Sequence, residues 1–166
     1  MSKTALIAEA MIRYMAGDAR RINHFMKVYA FAGMIAGLEG LGAREREILD
    51  AAALTHDIGI YPSFEKYGDA NGVHQQEEGP PAAREMLKRL GCDPELTERV
   101  CWLIAHHHTY TDIDARDYQI LVEADFIVNI FEDGMPEESI LSVRDKIFRT
   151  KSGREFMESL FLAQSR

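Results

Sequence analysis

Six histidines, several of them close to aspartates, are the residues of this chain with the most chemistry to offer. His56 and Asp57 stand side by side at the end of an Ala/Leu-rich run, and His24, His74, the run His106-His107-His108 and Asp125 lie on either side of them. Imidazole nitrogen and carboxylate oxygen together suit borderline divalent metals, and a metal with an open coordination position can activate water. One surface His or Asp is ordinary. Several of them on separate, largely apolar helical segments call for a common partner, and a metal is the partner that fits.

The elements that must position these residues read as helices. Ile7, Met11, Tyr14 and Met15 recur at helical spacing behind a candidate cap at Thr4, which predicts a helix over 5–16. Asp18 is placed to cap a second helix from 19 to about 38, whose apolar stripe of Ile22, Phe25, Met26, Tyr29, Gly33 and Ile35 carries His24 on its flank. A third runs from about 43 to 57 with Gly59 as its stop, because glycine tolerates the left-handed conformation there. His56 and Asp57 then share its last turn, about 100° apart around the axis, so both reach one ion only if it lies at that helix end. Residues 60–73 are the longest turn-rich stretch and read as a lid or binding loop. Pro80 or Pro81 opens a helix reaching Leu90, and Asp93-Pro94 opens the next, which leads into the histidine run. Composition alone would allow a buried strand over 119–131; its length and the recurrence of Leu121, Ala124, Val128 and Phe131 favour a helix. Asp125 then borders a buried stripe, which is costly for a carboxylate without a partner. Amphipathic segments near 136–148 and 153–163 close the chain.

With 166 residues, 46% of them hydrophobic, the chain has the size and apolar content for one domain with a buried core. A net charge of −8 argues against a duplex-binding surface. It leaves a small anionic substrate open, since bound divalent ions reverse the local field. Cys92 and Cys101 form no CxxC and read as reduced thiols of a cytoplasmic protein. Lys3, Glu9 and Arg13 interrupt the apolar pattern of the N-terminus, which is an amphipathic helix rather than a signal peptide. No apolar run approaches the roughly 20 residues that span a bilayer. The expectation is an all-α, single compact domain over 1–166 with about six to eight helices, in the cytoplasm, with no membrane or duplex nucleic acid as partner.

The ordered set His24, His56-Asp57, Asp125, with the segments ALTHDIG, HQQEEGPPAAREML, LIAHHHTY and ILVEADFI, resembles the defining pattern of the HD-domain superfamily of metal-dependent phosphohydrolases. The resemblance covers roughly residues 20–131, which would hold the metal-site core, with C-terminal helices over 136–163. It implies that His24, His56, Asp57 and Asp125 coordinate one metal. Two-metal members add histidines between the doublet and the last aspartate, and His74 falls where the first of these belongs. LIAHHHTY is similar to segments that supply a ligand pair after Ile-x-x, which points to His107 first, His108 second and His106 last. Asp57 would bridge the two ions, which are one or two of manganese, iron, cobalt, nickel or zinc.

The reaction so implied is hydrolysis of a nucleotide or other small phosphate ester by a metal-activated water, with Asp57 at its centre. Lys27, one turn after His24, is placed to meet a phosphate oxygen, and Lys66 and Tyr67 to close over substrate. Glu77 or Glu78, one turn after His74, would orient a ligand or the attacking water, Glu78 being the catalytic candidate. Arg20 and Arg21 read equally well as ordinary first-turn residues. Two alternatives stay open: a mixed-valence diiron oxygenase, which a branch of the same superfamily builds from a similar set, and a module that binds metal or nucleotide without turnover. TYTDID follows His107-His108 where cyclic-di-GMP phosphodiesterases carry Gly-Tyr-Pro, which disfavours that substrate.

Overall fold

Ala51, Ala52, Ala53, Leu54 and Thr55 are all buried, so the helix that carries them has no solvent face at its C-terminal end and must be packed on every side. A computed structural model describes residues 2–163 and shows how this is done. Nine helices and no strand occur among the described residues: α1 Lys3–Tyr14, α2 Ala19–Leu38, α3 Ala43–Thr55, α4 Ile60–Tyr67, α5 Gly72–Arg89, α6 Pro94–His106, α7 Arg116–Glu132, α8 Glu137–Ile147 and α9 Lys151–Phe161. The central one is α3, packed against α1, α2, α6 and α7. Its alanines let those four neighbours approach closely, and its C-terminal end delivers His56 and Asp57 to the place where α2, α6 and α7 meet. One cluster of buried apolar side chains, from Ile7 on α1 to Met157 on α9, surrounds that place.

The helix ends follow local chemistry. Asp18 accepts from the Arg21 N–H and starts α2 where the sequence predicts. Ser2, not Thr4, caps α1, its hydroxyl accepting from the Ala5 N–H, and so α1 begins two residues before the expected start. Asp93 caps α6, with Pro94 in the first turn, where its missing N–H costs nothing. Arg99 forks onto Asp117 with N–O distances of 2.9 and 2.7 Å, tying α6 to the start of α7.

Gly59 does not stop α3 in the left-handed conformation: α3 ends at Thr55, and Gly59, with φ −71°, caps α4. Two longer segments also differ from the sequence expectation. Residues 60–67 form α4 rather than a lid loop, which raises the helix count to nine among the described residues. Ile60 and Ser63, three residues apart, are buried together, and Gly68 ends the helix in the left-handed conformation (φ 79°). Two turns are too short for periodicity to stand out from a turn-rich composition. The second difference is α5, which starts at Gly72, eight residues before Pro80, with Asn71 as its cap accepting from the His74 N–H at 3.1 Å. Pro80 and Pro81 lie inside it, where each lacks a donor for the preceding turn. The helix holds because α4 and α6 brace it on either side. No helix among the described residues is long and apolar enough to cross a membrane.

Gly59 and Gly79 permit that bracing. A Cβ built on Gly59 would lie 2.6 Å from the Gln75 carbonyl oxygen and 2.8 Å from the Gly79 nitrogen, and one on Gly79 would lie 2.5 Å from Ile104. The contact presses the first turns of α5 onto the segment just after the His-Asp doublet. Gly59→Ala should therefore force backbone apart at a cost of about 1–3 kcal/mol, lowering the melting temperature by about 2–4 °C for each kcal/mol in a chain of this size. A thermal melt of the variant that matches the wild type would contradict this packing.

Candidate metal centre

Three helices, α2, α6 and α7, converge on the end of α3. His24 comes from the first half of α2, His56 is the C-cap of α3 with Asp57 next, and Asp125 comes from the middle of α7. His24 Nε2 lies 3.2 Å from His56 Nε2, 3.5 Å from Asp57 Oδ2 and 3.2 Å from Asp125 Oδ1. His56 Nε2 lies 3.6 Å from Asp57 Oδ2 and 3.7 Å from Asp125 Oδ1. The other Asp57 oxygen, Oδ1, faces elsewhere, 3.8 Å from His107 Nε2. Asp57 thus belongs to two groups of potential ligands, one with His24 and His56 and one with His107 and His108.

The tautomers of these rings follow from their other nitrogens. His56 Nδ1 is 2.9 Å from the Ala53 carbonyl oxygen and His107 Nδ1 is 2.8 Å from the Ile104 carbonyl oxygen. A carbonyl only accepts, so both Nδ1 atoms carry the proton and, with the rings neutral, both Nε2 atoms present bare lone pairs inward. His24 is oriented by a carboxylate instead: Nδ1 donates to Glu132 Oε2 at 2.9 Å, while Lys27 donates to Glu132 Oε1 at 2.5 Å. Nε2 of His107 and of His108 are buried and have no hydrogen-bond partner. Inward lone pairs around one buried and one half-buried carboxylate are the donor set of a divalent cation, and distances of 3.2–3.8 Å are near the roughly 3.3 Å that separates ligands sharing one tetrahedral ion. The residues present fit metal ions at both groups.

Charge in the centre is distributed accordingly. Burial works to lower the His24 pKa, but the hydrogen bond to Asp125 and the charges of Asp57 and Asp125 carry it up to about 9. Burial, helped by the charges of His24 and His107, depresses His56, and burial with the neighbouring His107 takes His108 down to about 4. Burial pushes the Asp57 carboxyl upward, and His56, His107 and His24 outweigh it, holding Asp57 well below the usual carboxylate range. Asp125 is lowered against the same burial, chiefly by His24 and His56. Asn129 donates to Asp125 Oδ1 at 2.9 Å and fixes its orientation.

The remaining predicted site residues lie apart from these two groups. His74 is in the first turn of α5, its Nδ1 2.7 Å from Asp69 Oδ1 and its ring stacked on Tyr67 at 3.9 Å. It shares a neighbouring recess with His108. His106 turns away, stacked on Trp102 at 4.0 Å with Nδ1 2.7 Å from the Trp102 carbonyl oxygen. Tyr118 donates to the His106 carbonyl, and Gln76 Oε1 accepts from the His108 N–H and the Thr109 hydroxyl, so the turn that presents His107 and His108 is pinned from two sides. Lys27 reaches the centre only through Glu132. Lys66 and Tyr67 lie on α4, both donating to Glu78 at the outer edge of the α4–α5 hairpin, and Tyr67 also to Glu77.

Glu132, Asn129, Gln75 and Gln76 were not singled out in the sequence. For two of them a signal exists: Asn129 and Glu132 follow Asp125 by four and seven residues, the spacing of one helix face. A cavity of about 300 Å³ opens over the centre, with Asp57, Asp125, His24, His108, Gln75 and Asn129 in its wall.

The family model of the HD domain matches residues 21–149. A crystal structure of a predicted HD superfamily hydrolase from an uncultured Thermotogales bacterium superposes with a TM-score of 0.64 at 25% sequence identity, covering 92% of this chain and 82% of that one. No curated protein matches the chain.

Two outcomes follow from the charge distribution. A proton on His24 competes with any cation at the same Nε2, so metal affinity measured by titration should rise about tenfold per pH unit below about pH 9 and level off above it. In metal-free protein the same shift favours the fold fully below the ordinary value of 6.5 and is lost as pH rises through about 9; a pH-independent metal affinity would contradict the assignment. Glu132→Gln should weaken metal binding by about 10–100-fold through loss of the His24 anchor, with the fold retained by circular dichroism.

Proposed function

This chain belongs to the HD-domain family, and we propose that it is a metal-dependent phosphohydrolase of small phosphate esters. The observation that carries the reading is the placement of Asp57, whose two oxygens face separate histidine groups and so suit it to join two metal positions. The similarity in fold to a predicted HD superfamily hydrolase supports hydrolysis as the reaction class. The proposed ligands are His24, His56, Asp57 and Asp125 for one position and Asp57, His107 and His108 for the other. His74 joins them only by exchanging Asp69 and Tyr67 for a metal.

Divalent ions held there, drawn from manganese, iron, cobalt, nickel and zinc, would lower the pKa of water and polarise phosphoryl oxygens. The chain's own residues prepare the site for that chemistry. Carbonyls of Ala53 and Ile104 and the Glu132 carboxylate fix three imidazoles in one tautomer, so none must reorient during turnover. Asn129 holds Asp125, and Lys27 keeps Glu132 ionised, which makes Lys27 a positioning residue. The Lys66–Glu78 and Tyr67–Glu78 contacts fasten α4 to α5 along one side of the site. Among the described residues, Ile60 is the one apolar side chain in a cavity wall otherwise polar or charged, and none of them brings a phenyl, phenol or indole ring to that wall. Such a wall favours a compact polar ester over one whose base would need an apolar or stacking surface.

The test is phosphate release from small phosphomonoesters by manganese-loaded protein under nitrogen. Turnover should proceed without dioxygen, fall to background in Asp57→Ala and drop far more in His107→Ala than in His106→Ala. Turnover that needs iron and dioxygen would place the chain with the diiron oxygenases, and a fully active Asp57→Ala would end the two-metal reading.

A further inference from the structure

Arg20 and Arg21 supply the cationic side chains that remain in the wall of the cavity once a metal has displaced the His24 proton, and nothing in the centre described above uses them. They precede His24 by four and three residues on α2. That places them roughly one turn, about 5 Å, further toward the mouth along the helix that supplies a ligand. The other charges of the wall are carboxylates. Asp57 and Asp125 belong to the metal centre, and Glu132 is engaged by His24 and Lys27. The two outermost, Asp18 and Asp133, are the only acids left to the arginines, and neither satisfies its partner. Arg20 is 4.0 Å from Asp133, with 77% and 62% of the two side chains exposed, a pairing that water screens almost completely. Arg21 Nε comes within 2.9 Å of Asp18 Oδ2 but makes no hydrogen bond, although it is shut off from solvent. Asp18 cannot turn to serve it freely, because its Oδ1 accepts from the Arg21 backbone N–H as the cap of α2.

We propose that Arg20 and Arg21 form an anion subsite at the cavity mouth, so that the preferred substrate carries a second anionic group beyond the scissile phosphate. The proposal rests on the phosphohydrolase reading for which phosphate is the scissile one. Each guanidinium is a planar fork of donors matched to two oxygens of a carboxylate or phosphate. An anion entering the mouth replaces the screened Arg20–Asp133 pairing with charge-assisted bonds and meets the Nη side of the Arg21 guanidinium, whose Nε stays against Asp18. Charge balance points the same way. Five carboxylates and two guanidinium groups line the cavity, and two divalent ions would turn that deficit of three into an excess of one positive charge. One helical turn between the arginines and His24 is a separation that a two-carbon linker spans.

The experiment is calorimetric binding of three non-hydrolysable phosphonates to manganese-loaded protein: propylphosphonate, 3-phosphonopropionate and ethane-1,2-bisphosphonate. They share the phosphonate and differ at the far end, which is a methyl, a carboxylate or a second phosphonate. Wild type should bind at least one of the doubly anionic compounds about tenfold more tightly than propylphosphonate. The tighter of the two identifies the second group as carboxylate or phosphate. In Arg20→Gln/Arg21→Gln, with metal content unchanged by elemental analysis, that advantage should vanish. Equal binding of all three by wild type overturns the subsite without reference to any variant, as does no binding at all or an advantage that survives in the double variant. Phosphate-ester hydrolysis without this preference would leave the hydrolase reading standing and the subsite refuted. A preference without hydrolysis would do the reverse.

Discussion

Two imidazole nitrogens 3.2 Å apart and two carboxylates within 3.7 Å of them are held at the bottom of an apolar core, and the rest of the structure depends on that arrangement. The bare His56 lone pair and the carboxylates repel one another and resist leaving water, and the His24 proton offsets only part of that. They stay together because each is tied from behind: His56 to Ala53, His107 to Ile104, His24 to Glu132 and Lys27, Asp125 to Asn129. The two backbone ties need only a carbonyl three residues earlier, which any helix end provides. The two side-chain ties need particular residues, and they lie on the α2–α7 side.

That asymmetry gives the centre two unequal halves. The half around His24, His56 and Asp125 is built on helices packed against α3. The half around His107 and His108 sits on the turn after α6, held by Tyr118 and Gln76. Gln76 is carried by α5, whose first turns rest on Gly59 through backbone contacts that a methyl group would close. The close approach of α4 and α5 is therefore connected to the metal centre, since it sets where the second histidine pair can stand.

Much of this was legible in the residues. Asp18 predicts the start of α2, the stripe from Ile22 to Ile35 predicts its course, and the Ala/Leu run before His56 is the helical run that ends at the doublet. Of the three consecutive histidines, His107 and His108 stand near Asp57 while His106 is stacked on Trp102. What escaped was of two kinds. The lid expected over 60–73 contains α4 because Ile60 and Ser63 bury one face, a two-turn pattern too brief to outweigh Pro62, Gly68 and Gly72. Pro80-Pro81 reads as a helix start, and only bracing by α4 and α6 lets α5 run through it. Glu132 escaped because a glutamate at a helix end is ordinarily solvated; its value depends on His24, more than a hundred residues earlier in the chain. Tertiary partners of that kind leave no local trace.

Asp57 is the residue on which the account turns, since its two oxygens are assigned to two different metal positions. The most direct measurement is the number of manganese ions retained per chain after reconstitution and dialysis, for the wild type and for Asp57→Asn, which keeps the size of the side chain. The account predicts two ions in the wild type and fewer than one in the variant. Two ions retained by Asp57→Asn, or none by the wild type, would contradict it.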